Sequence, residues 1–295
     1  TDGISEKIYN KIINQIITNL PNLNEWHSKY ILNKFGHITW NQAIKELHRP
    51  DNIGKYKDNF YQRLAFDEIF STFLVNSEIR KKIRKVKKKR KSINIKNQNS
   101  IINKLEFTLT KDQNKALHEI NKDLNSTNKM FRLLQGDVGS GKTIVSLIAA
   151  LNTINSGFQV AFMAPTEILA RQHYNLAKKI FSENKKIEII SGKSEYKEKK
   201  EILKKLENNK VDIIFGTHAI FQKKVLFKKL GLIIIDEQHK FGVNQRKKLS
   251  DKGGPDCDVL LMTATPIPRT LTMTIYGDMD ISIIREKPKN RKPIK

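Results

Sequence analysis

The chain has 295 residues, of which 38% are apolar, and its 55 Lys and Arg against 30 Asp and Glu give a formal net charge of +25. That length allows about two domains with substantial cores, because globular domains usually run to roughly 100 to 200 residues. So positive a charge makes a polyanion such as nucleic acid the first partner to consider, although a coding sequence rich in A and T would produce the same excess of Lys, Asn and Ile.

Cysteine usage and hydropathy limit the cellular setting. Cys257 is the only cysteine, so a disulfide within the chain is excluded, and we expect a small buried side chain in a reducing compartment. No apolar stretch approaches the roughly 20 residues of a membrane span, and the N-terminus lacks the apolar core of a signal peptide. The sequence therefore predicts a cytoplasmic protein with no membrane partner, and the first residue, Thr1 rather than Met, suggests a piece of a longer protein.

The first third of the chain has helical periodicity. Apolar spacing predicts helices over residues 4–19, 23–35, 39–47 and 57–91, with Thr39 as an N-cap. The last of these ends in "RKKIRKVKKKRK" (80–91), in which ten of twelve residues are basic. Such clusters commonly contact phosphates, so we expect nucleic acid nearby, the alternative being a solvated helix end. Residues 92–104 are predicted to be a polar linker.

From residue 107 onward, short apolar runs alternate with amphipathic ones. Helices are predicted over 142–156 and 168–184, and strands over 130–135, 158–165, 186–191, 211–217, 230–237 and 257–265. Nearly continuous apolar strands separated by helices indicate an α/β fold, a parallel sheet with helices on both faces. Such sheets bind ligands beyond the carboxyl ends of their strands.

The segment "GDVGSGKT" follows the first of these strands and opens the next helix. It matches G-x-x-x-x-G-K-[ST], whose glycines let backbone N–H groups approach phosphate oxygens. We expect the lysine to bridge the β- and γ-phosphates and the threonine hydroxyl to bind Mg²⁺. The predicted nucleotide-binding residues here are Gly136, Gly139, Ser140, Gly141, Lys142 and Thr143.

A second polar cluster ends the strand in "LIIIDEQHKFGVNQR". Adjacent carboxylates suit phosphoryl transfer, because Asp236 can bind the metal while Glu237 aligns or deprotonates the attacking water. Gln238 and His239 follow directly, with His239 placed to sense the γ-phosphate, and hydroxyls of "MTATPIPRT" can hydrogen-bond toward them. Together with Lys142, these four residues form the predicted catalytic set.

Six segments, in this order, resemble the motifs of superfamily 2 helicases, and in particular the RecG family that acts on branched DNA: "FTLTKDQ", "GDVGSGKT", "APTEILARQH", "GTHAIFQ", "DEQHKFGVNQR" and "TATPIPRTL". Upstream, "ELHRP" and "YQRLAFDEIF" resemble the segment that joins the wedge domain to the motor in that family. The resemblance covers nearly the whole chain. It implies a RecA-like lobe over 105–295, preceded by a mainly helical joining region over 1–104.

The resemblance also assigns roles to residues. It implies ATP and Mg²⁺ as cofactors, adenine contact by Gln113, metal binding by Thr143 and Asp236, and catalysis by Glu237. Contacts with the DNA backbone are implied for Pro165, Thr166, Arg171, Thr217 and His218, each of which has a cap or turn residue as its alternative interpretation.

The predicted function is that of an ATP-dependent helicase acting on stalled forks and Holliday junctions in DNA repair and recombination. Lys240 stands where the family usually has arginine, and the sequence ends before a second motor lobe, so we expect the isolated chain to be an incomplete enzyme. The second lobe and a wedge barrel are expected in the full-length protein. Alternatives are a transcription-repair coupling or primosomal helicase, which "DEQH" and "LHRP" disfavour, and a non-catalytic DNA-binding module.

Overall fold

The computed structural model describes residues 5–48, 57–181, 183–190, 192, 196–222, 224–236, 253–265, 277 and 279–286. Contacts divide the chain into a first unit up to Asn76 and a second unit from Ser77 onward. This division falls earlier in the chain than the boundary expected after residue 104, and the two-domain assignment stays a prediction. Among the described residues, no helix is both long and apolar enough to cross a membrane.

The helices of the first unit are α1 (Glu6–Thr18), α2 (Lys29–Lys34), α3 (Trp40–Leu47) and the beginning of α4 (Lys57–Lys85). Thr39 caps α3 as predicted, in a reciprocal capping box with Gln42. The helix predicted over 23–35 was wrong in its first half. The Glu25 carboxylate accepts hydrogen bonds from the backbone N–H groups that follow it and from the buried Arg63 guanidinium, at 2.8 and 2.9 Å, so helical bonds do not form there.

The prediction for residues 57–104 was wrong at two points. α4 ends at Lys85 instead of continuing to residue 91, because the chain beyond it forms an antiparallel bridge with Asn128 and turns two lysines into the protein. The predicted linker contains a helix, α5 (Ile95–Ile102), which Asn94 caps and whose Ile101 is buried. The segment after α4 therefore packs as part of the second unit.

The second unit is built on a parallel sheet of seven strands among the described residues, in the order β3-β4-β2-β5-β6-β1-β7. The strands are β1 (Phe131–Gly136), β2 (Gln159–Met163), β3 (Ile187–Ile190), β4 (Ile213–Gly216), β5 (Leu230–Ile235), β6 (Asp258–Thr263) and β7 (Asp280–Ile284). The helices are α5, α6 (Lys111–Leu124), α7 (Lys142–Asn155), α8 (Glu167–Ile180) and α9 (Tyr196–Glu207). All six predicted strands and the parallel α/β fold are confirmed, whereas the edge strand β7 was not predicted.

Apolar side chains fill both faces of this sheet. On one face, α5 to α8 pack against residues such as Phe162, Phe215 and Leu260. On the other face, α9 contributes Ile202 and Leu206. With both faces covered by packed apolar groups, the polar groups at the carboxyl ends of the strands lie on a rigid support.

Candidate functional site

The loop between β1 and α7 has the backbone that the phosphate-loop motif predicts. Gly139 and Gly141 have φ angles of 77° and 90°, in the left-handed region that glycine adopts at little cost. Gly141 is also the N-cap of α7, and a Cβ there would lie 2.2 Å from Nε2 of Gln113. Glycine at 141 therefore avoids backbone strain, and a larger residue would displace the Gln113 amide; the loop presents the start of a helix to a ligand.

The side chains of this loop fit an anion. Lys142 is buried, and its Nζ donates to the carbonyl oxygens of Gly136 and Asp137 at 2.6 and 2.9 Å. Ser140 is also buried, and among the described residues its Oγ has no hydrogen-bond partner. A buried ammonium, a buried hydroxyl and the start of a helix converge on one turn, which suits phosphate oxygens.

Gln113 lies against this loop from α6. Its Nε2 donates to the carbonyl of Ser140 at 2.7 Å, and its Oε1 accepts from the backbone N–H of Thr110 at 2.9 Å. The side chain thus joins the capping box of α6 to the phosphate loop. Contact with adenine stays a prediction for this residue.

Asp236 follows β5 at the same edge of the sheet as the phosphate loop, with β6 between β5 and β1. Its backbone N–H donates to the carbonyl of Met163 at 2.9 Å, and its carboxylate Oδ2 lies 2.9 Å from Nε2 of His173. The other predicted catalytic residues after it, 237–239, lie outside the described residues, as does Lys240.

His173 is a buried residue of the site that was not predicted from the sequence. The residue is 8% exposed on α8, and its ring packs on Phe162 with centroids 4.8 Å apart. One signal was available, because its spacing from Ala170 and Ala177 places a polar residue on the apolar face of an amphipathic helix. A histidine there needs a polar partner, and the partner is the Asp236 carboxylate.

Four of the five residues predicted to contact DNA follow two neighbouring strands. Pro165 and Thr166 follow β2, while Thr217 and His218 follow β4, which pairs with β2 in parallel. Thr166 caps α8 by accepting from the N–H of Leu169 at 3.3 Å, which is the alternative role considered for it. Arg171 lies exposed on α8, and His218 is also exposed. DNA contact stays a prediction for all five.

The basic segment 80–91 was expected to face nucleic acid, and the structure contradicts this for part of it. Lys88 and Lys91 have completely buried side chains, and their Nζ atoms lie 2.5 and 2.6 Å from Oδ2 of Asp258. Burial lowers the pKa of Lys88, and the Asp258 carboxylate opposes that shift. These two lysines anchor the segment to Asp258 of β6, and their buried ammonium groups cannot reach a phosphate.

Two arginines of the same segment are also paired. Arg80 and Arg84 both contact the Asp280 carboxylate at the start of β7, the second at 3.1 Å. By contrast, Lys87, Lys89 and Arg90 are exposed. The surface of this segment available to an anion is therefore smaller than its composition indicates.

Cys257 is buried beside Asp258, the residue that pairs with Lys88 and Lys91, and its burial agrees with the prediction from the sequence. Burial raises the pKa of its thiol to about 12, so it is unreactive at neutral pH. Among the described residues, no group of three or more His, Cys, Asp and Glu side chains could hold a metal ion.

Comparison with known proteins identifies relatives along the whole chain. The family model for DEAD/DEAH box helicases matches residues 110–274. The ATP-dependent DNA helicase RecG of Aquifex aeolicus is 42% identical over 283 residues, which cover 92% of this chain and 35% of that protein. RecG of Thermotoga maritima is 42% identical over 296 residues, covering 100% of this chain and 38% of that protein.

Solved structures agree with these matches. A structure of RecG bound to a three-way DNA junction superposes with a TM-score of 0.77 at 39% identity, covering 100% of this chain and 40% of that one. The DEAD-box helicase Mss116 bound to ssRNA gives a TM-score of 0.51 at 19% identity over 68% of this chain and 44% of the other, a likeness of fold alone. The chain thus spans well under half the length of the RecG proteins that it matches.

Proposed function

Because the chain belongs to the DEAD/DEAH box helicase family, we propose that it forms the ATP-binding lobe of a DNA helicase that remodels branched DNA, such as stalled forks and Holliday junctions, in repair and recombination. The observation that carries this proposal is the loop from Gly136 to Thr143, with its left-handed glycines and buried lysine, at the same sheet edge as Asp236. The similarity to RecG along the chain supports the choice of substrate.

ATP with Mg²⁺ is the proposed cofactor. Lys142 would exchange its two carbonyl partners for phosphate oxygens, and the unsatisfied hydroxyl of Ser140 would gain one. Thr143 and Asp236 are the proposed metal ligands, both being oxygen donors of the kind Mg²⁺ prefers. The bound metal would supply charge stabilisation on the phosphates, while Glu237, Gln238 and His239 are proposed to act on the attacking water and the γ-phosphate.

The proposed DNA surface lies where β2 and β4 end, at residues 165–166 and 217–218, with Arg171 on α8. Backbone and helix-start positions of this kind suit phosphate contacts rather than base readout. Branched DNA is the proposed partner. A second RecA-like lobe and a wedge barrel are proposed as further parts of the protein, since the RecG relatives are more than twice as long as the matched segment. The proposed location is the cytoplasm.

The decisive experiment is calorimetric titration of the 295-residue chain with Mg-ATP. Lys142→Ala should abolish or greatly weaken binding without unfolding the protein, because the loop loses its buried ammonium. Lys204→Ala, which removes an exposed ammonium from α9, serves as the matched control and should bind as the unmodified chain does. Equal affinity in the two variants would contradict the nucleotide site.

Hydrolysis is expected to be slow in the isolated chain. An arginine delivered to the γ-phosphate across a cleft accelerates related enzymes by about 10³ to 10⁵, and the resemblance places that arginine on the second lobe. Steady-state ATP hydrolysis with and without forked DNA measures this. Rapid turnover stimulated by DNA would mean that the chain completes its active site by another route.

A further inference from the structure

The contact between His173 and Asp236 joins two elements that are far apart in the chain. His173 lies in α8 and Asp236 follows β5, 63 residues later, yet the imidazole Nε2 and the carboxylate Oδ2 are 2.9 Å apart. Both residues are almost fully buried, at 8% and 9% exposure. A carboxylate accepts hydrogen bonds, so Nε2 is the donor in this pair.

The imidazole is itself held in place. Its ring packs at an interplanar angle of 42° on Phe162, a buried residue of β2. Ala170 and Ala177, about one turn to either side on α8, are buried on the same helix face. A ring enclosed on these sides has few alternative rotamers, so the direction of its N–H group is fixed.

The same part of the chain fixes the backbone of Asp236. The N–H of Asp236 donates to the carbonyl of Met163, the last residue of β2, at 2.9 Å. The strand β2 and the helix α8 that follows it thus hold this residue at two points, by its main chain and by its carboxylate. The hydrogen bond from His173 to Oδ2 restrains the rotation of the carboxyl plane, and with it the direction of the lone pairs on both oxygens.

We propose that His173 is a positioning residue that orients the Asp236 carboxylate for the divalent cation accompanying the nucleotide. This inference rests on the proposed function, since it takes Asp236 to be a metal ligand. Partners that orient a metal-binding carboxylate commonly change metal affinity by about 10- to 100-fold when they are removed. In this role the imidazole would act through its hydrogen bond to Asp236.

If His173 had only a structural role, its replacement would have a different effect from the one expected for a positioning role. The interface between α8 and the sheet is otherwise apolar around this position, with Phe162, Phe215 and Ala177 nearby. An apolar side chain of similar volume would fill that space and avoid the burial of a polar ring. A structural role requires only the volume of the ring, whereas a positioning role requires an N–H donor at the Nε2 position.

The test compares variants that separate volume from hydrogen bonding. His173→Leu keeps much of the volume and removes the donor, while His173→Gln can place an amide N–H near the position of Nε2. Asn175→Ala, at an exposed position of the same helix, is the control, and Asp236→Asn is the reference for loss of the ligand. Because Cys257 is buried, failure of a thiol reagent to label it verifies that each variant is folded.

The measurement is the affinity of the chain for Mn²⁺ in the presence of ATP, followed by electron paramagnetic resonance, beside ATP binding in EDTA. We expect His173→Leu to weaken Mn²⁺ binding by about 10- to 100-fold and to leave ATP binding in EDTA unchanged. His173→Gln should recover most of the loss, and Asn175→Ala should match the unmodified chain. If the leucine variant does not fold, His173→Asn, whose amide is too short to reach the carboxylate, takes its place.

The possible results separate the two proposals. Unchanged Mn²⁺ affinity in the folded leucine variant, or equal losses in the leucine and glutamine variants, would overturn the positioning role while leaving the nucleotide site intact. Failure of the folded, unmodified chain to bind Mn²⁺ with ATP at all would overturn the proposed function, and the role of His173 with it.

Discussion

The buried cluster around Asp258 predicts a large and specific loss of stability. Asp258 is the first residue of β6, and it has no exposed surface. Its Oδ1 accepts from the backbone N–H of Met130 at 2.6 Å, while Oδ2 accepts from Lys88 and Lys91. Asp258→Asn retains an oxygen for Met130 and removes the only carboxylate within salt-bridge distance of these two ammonium groups among the described residues.

The size of the effect follows from burial. Removing one partner of a buried ion pair typically costs about 3 to 5 kcal/mol, because the remaining charge is left uncompensated. Asp280→Asn is the matched control, since its carboxylate is 30% exposed and binds two partly exposed arginines. Exposed pairs of that kind contribute about 0 to 1 kcal/mol. The two substitutions make the same chemical change and should differ several-fold in effect.

Unfolding of the second unit can be followed through its cysteine. Both tryptophans of the chain, Trp26 and Trp40, lie in the first unit, so their fluorescence reports on that unit. Cys257 has no exposed surface and adjoins the cluster, so pulsed thiol labelling across a urea series reports on the second unit. The urea midpoint should fall strongly for Asp258→Asn and little for Asp280→Asn, with similar slopes.

A double substitution separates charge from packing. Lys91→Met added to Asp258→Asn removes one of the two uncompensated ammonium groups, so it should restore part of the lost stability. The reasoning would be refuted if Asp258→Asn and Asp280→Asn lowered the midpoint equally. It would also be refuted if removing Lys91 destabilised the Asp258→Asn protein further.

Three further outcomes are expected. Gly141→Ala should weaken Mg-ATP binding in a calorimetric titration, because its Cβ would displace the Gln113 amide from the phosphate loop, whereas Gly36→Ala, also at positive φ (+66°) but with nothing within 4 Å, should bind as the unmodified chain does. At pH 8 a thiol reagent should label Cys257 only when the protein has unfolded, because a thiol pKa of about 12 leaves roughly one thiolate in 10⁴ in the folded protein. Rapid labelling of Cys257 in the folded protein would contradict its burial. Two backbone N–H groups lower the pKa of Asp112 below 3.8, so its contribution is present above that pH and lost on acidification. Urea unfolding should therefore show Asp112→Asn less stable than the unmodified chain at pH 7, with the difference shrinking as the pH falls through the lowered pKa of the Asp112 carboxyl.

The fold could be predicted from the sequence because its signals are local. Each of the six predicted strands is a nearly continuous apolar run, and such runs are typical of buried parallel strands. The edge strand β7 was missed, since "DISII" begins with an acid and carries a serine at its centre, and only pairing with β1 makes it a strand. The helix α5 was missed because its asparagines indicated a linker, although Asn94 caps the helix and Ile101 reaches the core.

The candidate site likewise has a part that a local sequence motif predicts and a part that depends on contacts between distant residues. The phosphate loop is one continuous motif, so its residues could be named from the sequence, and its backbone has the left-handed glycines and buried lysine described above. The contacts of Asp236 with His173 and of Lys88 with Asp258 join residues 63 and 170 positions apart. No local pattern reports such a pair. The expectation for the basic segment was wrong in part for this reason, because charge composition does not show which lysines turn inward to meet an acid.

The two carbonyl contacts of Lys142 bear on how a nucleotide would leave the loop. The ammonium group donates to the carbonyl oxygens of Gly136 and Asp137, so the loop itself contains acceptors for this buried charge. Departure of a phosphate would therefore not leave the buried Lys142 ammonium without hydrogen-bond acceptors, which would cost free energy. Binding becomes an exchange of one set of oxygen acceptors for another. If the proposed nucleotide site is correct, an exchange of this kind would limit the net affinity of the loop for phosphate and so favour release of a product.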